Sequence, residues 1–402
     1  MKKNILIISI YYPPIPSIAS NRIYSFSKYL DKDKYNVFVH TISSDYDIKE
    51  DLDIKVSREK NDILFKSAVF DKRTNLFFHY LKVIYNKLLN LLFSYPYRAW
   101  LKRSEKSLQK LIKDQNIDLI LSSFSPVETH LLALKLKDKF PDIKWIADFR
   151  DEMSQNPFID KRTKKVYEAL EREIFSKVDG VSSVSKPILD EFKRVPTNKK
   201  ILFQEIRNGY DFELDPPSKQ NKLFTISYIG NFYAQRNPNN FLKALDELYK
   251  SGLIKDIRVD FIGVKTHFEI PKSLKDVVFV QDSISHESAI KKMKESDLLL
   301  LIHPNNGKKG VYTGKLFEYL ASLNPILALV DKEDVAAKLI KKCKAGYIAD
   351  FDDIKEIKIM IQKAYHDKKS DKEFNPDIDH IKLHHRKEQT KRLQKLIKEL
   401  LS

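Results

Sequence analysis

The chain has 402 residues, 42% apolar and 32% charged, which excludes disordered and fibrous classes and predicts two or three domains with sizeable cores. Its 72 lysines and arginines against 55 acids leave a net charge of +17, so phosphorylated small molecules, anionic lipid headgroups and nucleic acid are the partner classes to weigh. A single cysteine, Cys343, excludes an internal disulfide framework and fits a reducing compartment.

Lys2-Lys3 before the apolar run 4–10 imitates a signal peptide. The run ends in Tyr11-Tyr12-Pro13-Pro14 without a small-residue cleavage site, however, and reads as a first buried strand. A proline-stiffened loop follows, with Pro16, Ser17 and Ile18 leading into a helix over 18–30 whose apolar face carries Ile23, Phe26 and Leu30. The small residues Ser17, Ala19 and Ser20 would let backbone approach a phosphate. Further strands are expected over 37–43, 117–123, 144–149, 181–184 and 201–206. Helical patterns alternate with them, one after Pro126 carrying Leu131, Leu132, Leu134 and Leu136. Such alternation predicts a doubly wound parallel sheet, in which ligands sit beyond the carboxyl ends of the strands.

Residues 63–112 interrupt this pattern with aromatics, leucines and cations mixed together, among them Phe77, Phe78, Tyr80, Lys82, Tyr95, Arg98, Trp100 and Arg103. That texture fits an interfacial membrane-contacting insertion, or an insertion packed on the domain with its lysine heads reaching solvent. No apolar run approaches the ~20 residues of a membrane-spanning helix. A nucleic-acid groove is disfavoured because no recognised module frames the segment.

Residues 211–221, with Pro216-Pro217, read as an interdomain linker. A second series follows, with strands over 225–229, 258–262, 277–280, 298–302 and 326–330 and helices beginning near Asn239, Ser285, Thr313, Asp334 and Asp353. A final basic helix over 385–401 would pack through Leu393, Leu396, Ile397 and Leu400.

Three loops at strand ends carry candidate chemistry. Asp148-Phe149-Arg150-Asp151 holds two carboxylates and an arginine, which serve either a ligand or an ion pair with a helix cap. Gly230-Asn231 opens a loop in which Arg236 would clamp a diphosphate or stand in solvent. In Gly310 to Pro325, Thr313 is the expected N-cap of a helix to about Ser322. Leu316, Phe317, Leu320 and Leu323 would face the core, with Lys315, Glu318 and Ser322 on the other face. A strand, a loop and a helix N-terminus make an anion site, with Glu318 free to accept sugar hydroxyls; alternatively, Lys315 and Glu318 form an i,i+3 pair. There is no G-x-G-x-x-G, no G-x-S-x-G and no Walker A sequence, and His380, His384 and His385 lack the company of metal ligands.

Taken in order, these pieces resemble the retaining nucleotide-sugar glycosyltransferases of family 4, in their K-L-F-E-Y form. They are Tyr11 to Pro14, Asp148 to Asp151, Val184-Ser185-Lys186-Pro187, Asn208-Gly209-Tyr210-Asp211, Gly230-Asn231-Phe232-Tyr233, Gly314 to Ala321 and Pro325 to Ala328. The resemblance implies the α/β GT-B fold, two doubly wound Rossmann-like domains facing across a cleft. The acceptor domain would span 1–211, with 63–112 as its insertion, the linker 212–222, and the donor domain 223–375. Residues 376–402 would hold a helix crossing back to the first domain.

The resemblance also implies roles. Glu318 matches the second glutamate of an E-x7-E motif and would hold the donor ribose. Arg236, Lys315, Thr313 and Gly314 would hold the donor diphosphate, with Gly230 and Asn231 beside it. Asp148, Arg150 and Asp151 would be the catalytic residues, contacting the transferred sugar or acceptor, and Pro16, Ser17 and Ile18 would form an acceptor or diphosphate loop. Two departures stand out: the first glutamate of the motif falls on Gly310, and the glycine-rich loop after strand one becomes Pro16-Ser17-Ile18-Ala19. The implied activity moves a sugar from a nucleoside-diphosphate donor, without cofactor or metal, to a lipid-linked or oligosaccharide acceptor in surface polysaccharide biosynthesis. The implied location is cytoplasmic, on the anionic inner face of the cell membrane, with no nucleic-acid partner. The carboxylate missing at position 310 keeps a non-catalytic partner of another transferase open, and a nucleotide-sugar epimerase is the further alternative.

Overall fold

A computed structural model describes residues 2–43, 54–61, 96–215, 221–232, 236–304 and 309–402. The chain forms two compact units, Met1–Arg207 with Thr390–Ser402, and Asn208–Gln389.

Among the described residues, the first unit is built on a seven-stranded sheet: β1 Lys3–Ile8, β2 Tyr35–Ile42, β3 Lys55–Glu59, β4 Leu119–Phe124, β5 Lys144–Phe149, β6 Gly180–Ser183 and β7 Leu202–Glu205. Their order is β3-β2-β1-β4-β5-β6-β7, and all the ladders are parallel. Helices cover both faces of such a sheet, so its central strands read as unbroken apolar runs rather than alternating ones. Ile5 to Ile8 are wholly buried, as is every residue of β4. The order reverses between β1 and β4, the place where doubly wound sheets open a crevice at their carboxyl ends. Edge strand β3, Lys-Val-Ser-Arg-Glu, is half exposed and shows no such run, which is why the sequence gives no sign of it.

Of the unusual segment 63–112, residues 63–95 lie outside the described residues. The remainder enters the helix Arg98–Asp114, which buries Trp100, Ser104, Leu108 and Ile112. Trp100 donates through Nε1 to the Thr41 carbonyl at 3.2 Å. Lys102, Arg103, Lys106, Lys110 and Lys113 line the opposite, exposed side.

The second unit repeats the plan with β8 Phe224–Ile229, β9 Ile257–Ile262, β10 Val278–Gln281, β11 Leu298–His303, β12 Ile326–Val330 and β13 Gly346–Ala349. These run parallel in the order β10-β9-β8-β11-β12-β13, reversing between β8 and β11. Residues 208–215, assigned from sequence to the end of the first domain and the start of a linker, pack on this unit. Tyr210 is buried in its core beside Tyr312, Phe317 and Ile381, with Phe212 and Leu214 against the same cluster. The linker's Pro216-Pro217 lies outside the described residues. The C-terminal segment divides between the units. The helix Ile378–Lys382 buries Ile381 in the second unit, whereas Leu393, Leu396 and Ile397 of the helix Arg386–Leu401 join Ile5, Ile7 and Ile146 in the core of the first.

Two buried histidines make the first unit acid-sensitive. His40 lies 2.8 Å from Ser57 Oγ and 2.7 Å from Ser104 Oγ, while His130 lies 2.7 Å from Ser122 Oγ with its ring 4.6 Å from that of Phe149. Burial pushes both imidazoles down to about 3 from an ordinary 6.5. The unfolded chain therefore takes up these protons first, and stability falls as pH drops from 6.5 towards 3. Between about pH 7 and pH 5, the wild type should lose on the order of 2 kcal/mol more stability than His130→Asn, measured by chemical denaturation.

Candidate functional site

In the first unit, the carboxyl ends of the strands converge on Asp148, the fifth residue of β5. Its carboxylate receives Arg22 Nε at 3.0 Å, Arg22 Nη2 at 2.7 Å, Ser123 Oγ at 2.9 Å and Ser182 Oγ at 2.7 Å. Four donors fill the four lone-pair directions of a carboxylate. The side chains of Arg22 and Asp148 are only 2% and 0% exposed. Burial opposes ionisation of Asp148, but the Arg22 charge and the bonds from Ser182 and Ser123 outweigh it and hold the carboxyl below its ordinary range. Arg22 belongs to the helix Ile18–Tyr29, and its guanidinium also donates to the Arg207 carbonyl at 3.2 Å and lies 4.8 Å over the Phe26 ring. One carboxylate thus ties together a helix, three strands and the chain beyond β7. The expected contact between Asp148 and a sugar does not fit this inward, fully bonded side chain.

The other residues of the two loops are nearer the surface. Arg150 is half-buried, donates through Nε to the Phe124 carbonyl at 3.0 Å and through Nη2 to the Ser125 carbonyl, and lies 5.7 Å over the Tyr11 ring. Asp151 is exposed. In the loop after β1, Pro16 and Ile18 face outward. Ser17 is the N-cap, accepting from the Ser20 N–H at 2.9 Å. Ala19 and Ser20, read as small residues clearing a path to a phosphate, are buried instead.

The second unit gathers its candidates where the strand order reverses. Gly230 follows β8 with φ +117°, and a Cβ built there would stand 2.5 Å from Lys315 Cε and 2.8 Å from its Nζ. The missing side chain makes room for Lys315, whose ammonium lies 3.8 Å over the Tyr228 ring. Burial first, and then the Arg236 charge, push Lys315 down to about 7, with Glu318 opposing. Arg236 Nη2 lies 2.9 Å from His303 Nδ1, at the end of β11. Asn231 accepts the Lys265 N–H at 2.9 Å, fastening the loop after β8 to the one after β9. Residues 233–235 and 305–308, including Tyr233 of the resemblance, lie outside the described residues.

The helix Gly314–Ala321 begins beside these cations. Thr313 occupies its N-cap position in extended conformation without a side-chain cap, and its buried Oγ1 has no partner among the described residues. First-turn N–H groups of such a helix have no intrahelical acceptor. Leu316, Phe317, Leu320 and Leu323 face the core as expected, but Ser322 is buried too, donating through Oγ to the Tyr319 carbonyl at 2.7 Å. Tyr319, unassigned from sequence, is wholly buried and accepts the Ile229 N–H at 3.0 Å. Lys315 and Glu318 do not pair as i,i+3 neighbours among the described contacts. Glu318 instead lies 2.9 Å from Nε2 of His286, and that hydrogen bond raises the histidine's pKa.

Gly310, where the resemblance calls for a glutamate, has φ +91°, a conformation that disfavours any residue with a side chain. Its N–H donates to Asp334 at 2.7 Å, the same carboxylate oxygen that caps the helix Val335–Lys342. Sequence reasoning missed His303, His286 and Asp334 as neighbours of the site. Only His303 offered a signal, as a titratable side chain closing an apolar run at a strand's carboxyl end. Among the described residues, no group of three or more His, Cys, Asp or Glu side chains is set to hold a metal ion. Asp148→Ala should leave the Arg22 charge buried and unsatisfied, costing about 3–5 kcal/mol in chemical denaturation, whereas a residue whose carboxylate only met substrate would unfold unchanged.

No known family profile matches the sequence, and no curated protein sequence matches it. Solved structures do match along its full length. Sucrose-phosphate synthase from Thermosynechococcus elongatus superposes with a TM-score of 0.70 at 13% identity, covering 99% of each chain. The lipopolysaccharide outer core galactosyltransferase WaaB, in its apo form, gives 0.62 at 14% identity over 98% of this chain and 99% of its own. HepE from Anabaena, in complex with UDP, gives 0.61 at 11% identity over 99% and 100%. With two parallel, doubly wound sheets in sequence, the chain has the GT-B fold.

Proposed function

We propose that the chain is a retaining glycosyltransferase of the family 4 type, moving a hexosyl group from a nucleoside-diphosphate donor to a saccharide acceptor. The observation that carries this reading is the pair of cations at the reversal point of the second sheet. Lys315 and Arg236 stand beside the start of the helix Gly314–Ala321, in a chain whose fold is shared end to end with a sucrose-phosphate synthase, a galactosyltransferase and a protein solved in complex with UDP. The donor diphosphate would lie on the Thr313–Gly314 backbone between these cations, next to Gly230 and Asn231. Glu318 would exchange His286 for the ribose hydroxyls.

As the bond from the anomeric carbon to the diphosphate oxygen breaks, negative charge grows on the leaving group. Lys315, Arg236 and the helix-end N–H groups would meet that charge, without a metal. The acceptor hydroxyl attacks the anomeric carbon on the face the diphosphate leaves, its oxygen forming the new glycosidic bond as the old one breaks and its proton passing to the departing diphosphate oxygen. A diphosphate beside Lys315 also favours its ammonium form, so binding draws in a proton near neutral pH. Arg150, Asp151 and the loop Pro16-Ser17-Ile18 are assigned to the acceptor side. Asp148 is assigned as a positioning group, because its bonds anchor the loop that carries Arg150 and Asp151.

We further assign the acceptor to a lipid-linked saccharide of a surface polysaccharide, met at the inner face of the cell membrane. The exposed cations Lys102, Arg103, Lys106, Lys110 and Lys113 on one helix side support this, since each basic residue near an anionic surface contributes about 1 kcal/mol. Gly310, with its positive φ where a carboxylate would be needed, favours a second reading as a non-catalytic partner of another transferase. Absence of turnover with every sugar nucleotide that binds would decide for it.

Thermal shift against UDP- and GDP-sugars should find a stabilising donor, and calorimetry should then give Arg236→Ala and Glu318→Ala at least about tenfold weaker nucleotide binding. Unchanged affinity in both variants would overturn the donor site. Wild type should sediment with phosphatidylserine vesicles at low salt and release as salt is raised, and Lys102→Glu/Lys106→Glu/Lys110→Glu should remain in solution. Equal partition of the two proteins would remove the membrane assignment.

A further inference from the structure

The arginine at the donor site is held by a histidine to which sequence reasoning gave no role. Arg236 sits on the loop after β8, whereas His303 is the last residue of β11, paired in register with Val330 of β12 and only 8% exposed. Nη2 of Arg236 lies 2.9 Å from Nδ1 of His303. A guanidinium is always charged and only donates, so Nδ1 must be the acceptor and the ring proton belongs on Nε2. The imidazole is therefore neutral, in one tautomer. A bond to one of five N–H donors on a planar group fixes the direction of the other four.

We infer that His303 is a positioning residue of the donor site, holding the Arg236 guanidinium in the orientation that meets the diphosphate. This rests on the proposed nucleotide-sugar reading and extends it. A loop-borne arginine has rotamer freedom to lose on binding an anion, and an acceptor on a rigid strand removes part of that loss beforehand. The partner also has to be a neutral acceptor. A carboxylate in this place would compete with the diphosphate for the same charge, while an imidazole orients the arginine and leaves its charge in place. Lys315, whose nearest charged neighbours are Arg236 and Glu318, gains by the same arrangement, because an oriented guanidinium and the ammonium then share one anion.

The experiment measures UDP and GDP affinity by calorimetry in wild type, His303→Leu, His303→Asn and His303→Gln, each alone and with Arg236→Ala. The amide oxygen of asparagine falls where Nδ1 was, and that of glutamine falls nearer Nε2. His303→Leu and His303→Gln should therefore bind about tenfold more weakly, with His303→Asn within about twofold of wild type. In the Arg236→Ala background, none of the three should weaken binding further, because the group they orient is gone. If His303→Leu fails to fold, His303→Gln gives the same reading. The inference is overturned if both variants bind as wild type does, or if they lose the same factor with and without Arg236. If wild type itself binds neither nucleotide, the donor-site reading falls first and takes this one with it. Steady-state rates with the active donor should agree, the donor KM rising more than kcat falls.

Discussion

The ammonium of Lys315 rests 3.8 Å over the ring of Tyr228, in space that exists because residue 230 has no side chain. That contact sets the terms for the rest of the second unit's site. An aromatic face attracts a cation without neutralising it, so the lysine is held and desolvated but not satisfied. Burial disfavours its charge and Arg236 adds to the cost, so an anion bound beside it would relieve both. The strain is affordable because Gly230 ends β8 at the reversal of strand order, with β9 and β11 on either side fixing the backbone. Glu318, one turn into the adjacent helix, is hydrogen-bonded to His286 and only partly offsets the cost of the Lys315 charge.

The first unit handles buried charge in the opposite way. Arg22 and Asp148 are more deeply buried than Lys315, and every acceptor direction of the carboxylate is filled while the arginine also holds a backbone carbonyl. A pair so completely bonded has little to offer a ligand. It fixes where the loop 149–151 leaves the sheet. Charge near the end of a parallel strand therefore has two meanings, and the donors around it distinguish them.

Much of the fold is legible in the sequence because parallel strands covered on both faces carry continuous apolar runs, as in Ile5–Ile8 of β1, Leu119–Leu121 of β4, Leu298–Ile302 of β11 and all of β12. β3 and β13 escape because they are edge strands, with half-exposed residues and no pattern of their own. Candidate loops can be picked out for a related reason, since doubly wound sheets bind ligands at the carboxyl ends of their strands. Partner choice is not legible. Lys315 and Glu318 stand three residues apart and look like a helical pair, but Gly230 offers the lysine a cavity and His286, 32 residues away in sequence, takes the glutamate. Asp148 stands out as a costly buried acid, while its arginine lies 126 residues away. Such pairs are decided by packing, which one-dimensional spacing does not encode.

The helix Arg386–Leu401 has a consequence for how the protein is made. Leu393, Leu396 and Ile397 complete the core around Ile5 and Ile7, and Leu400 lies 3.0 Å from where a Cβ on Gly180 would be. Domains generally fold in the order in which they leave the ribosome. Here the earliest strand waits for some of the latest residues. During synthesis, the face of β1 that these leucines cover stays open to water and to other nascent chains while the whole second unit is translated. Translation speed through residues 208–389 therefore sets how long that apolar face is exposed.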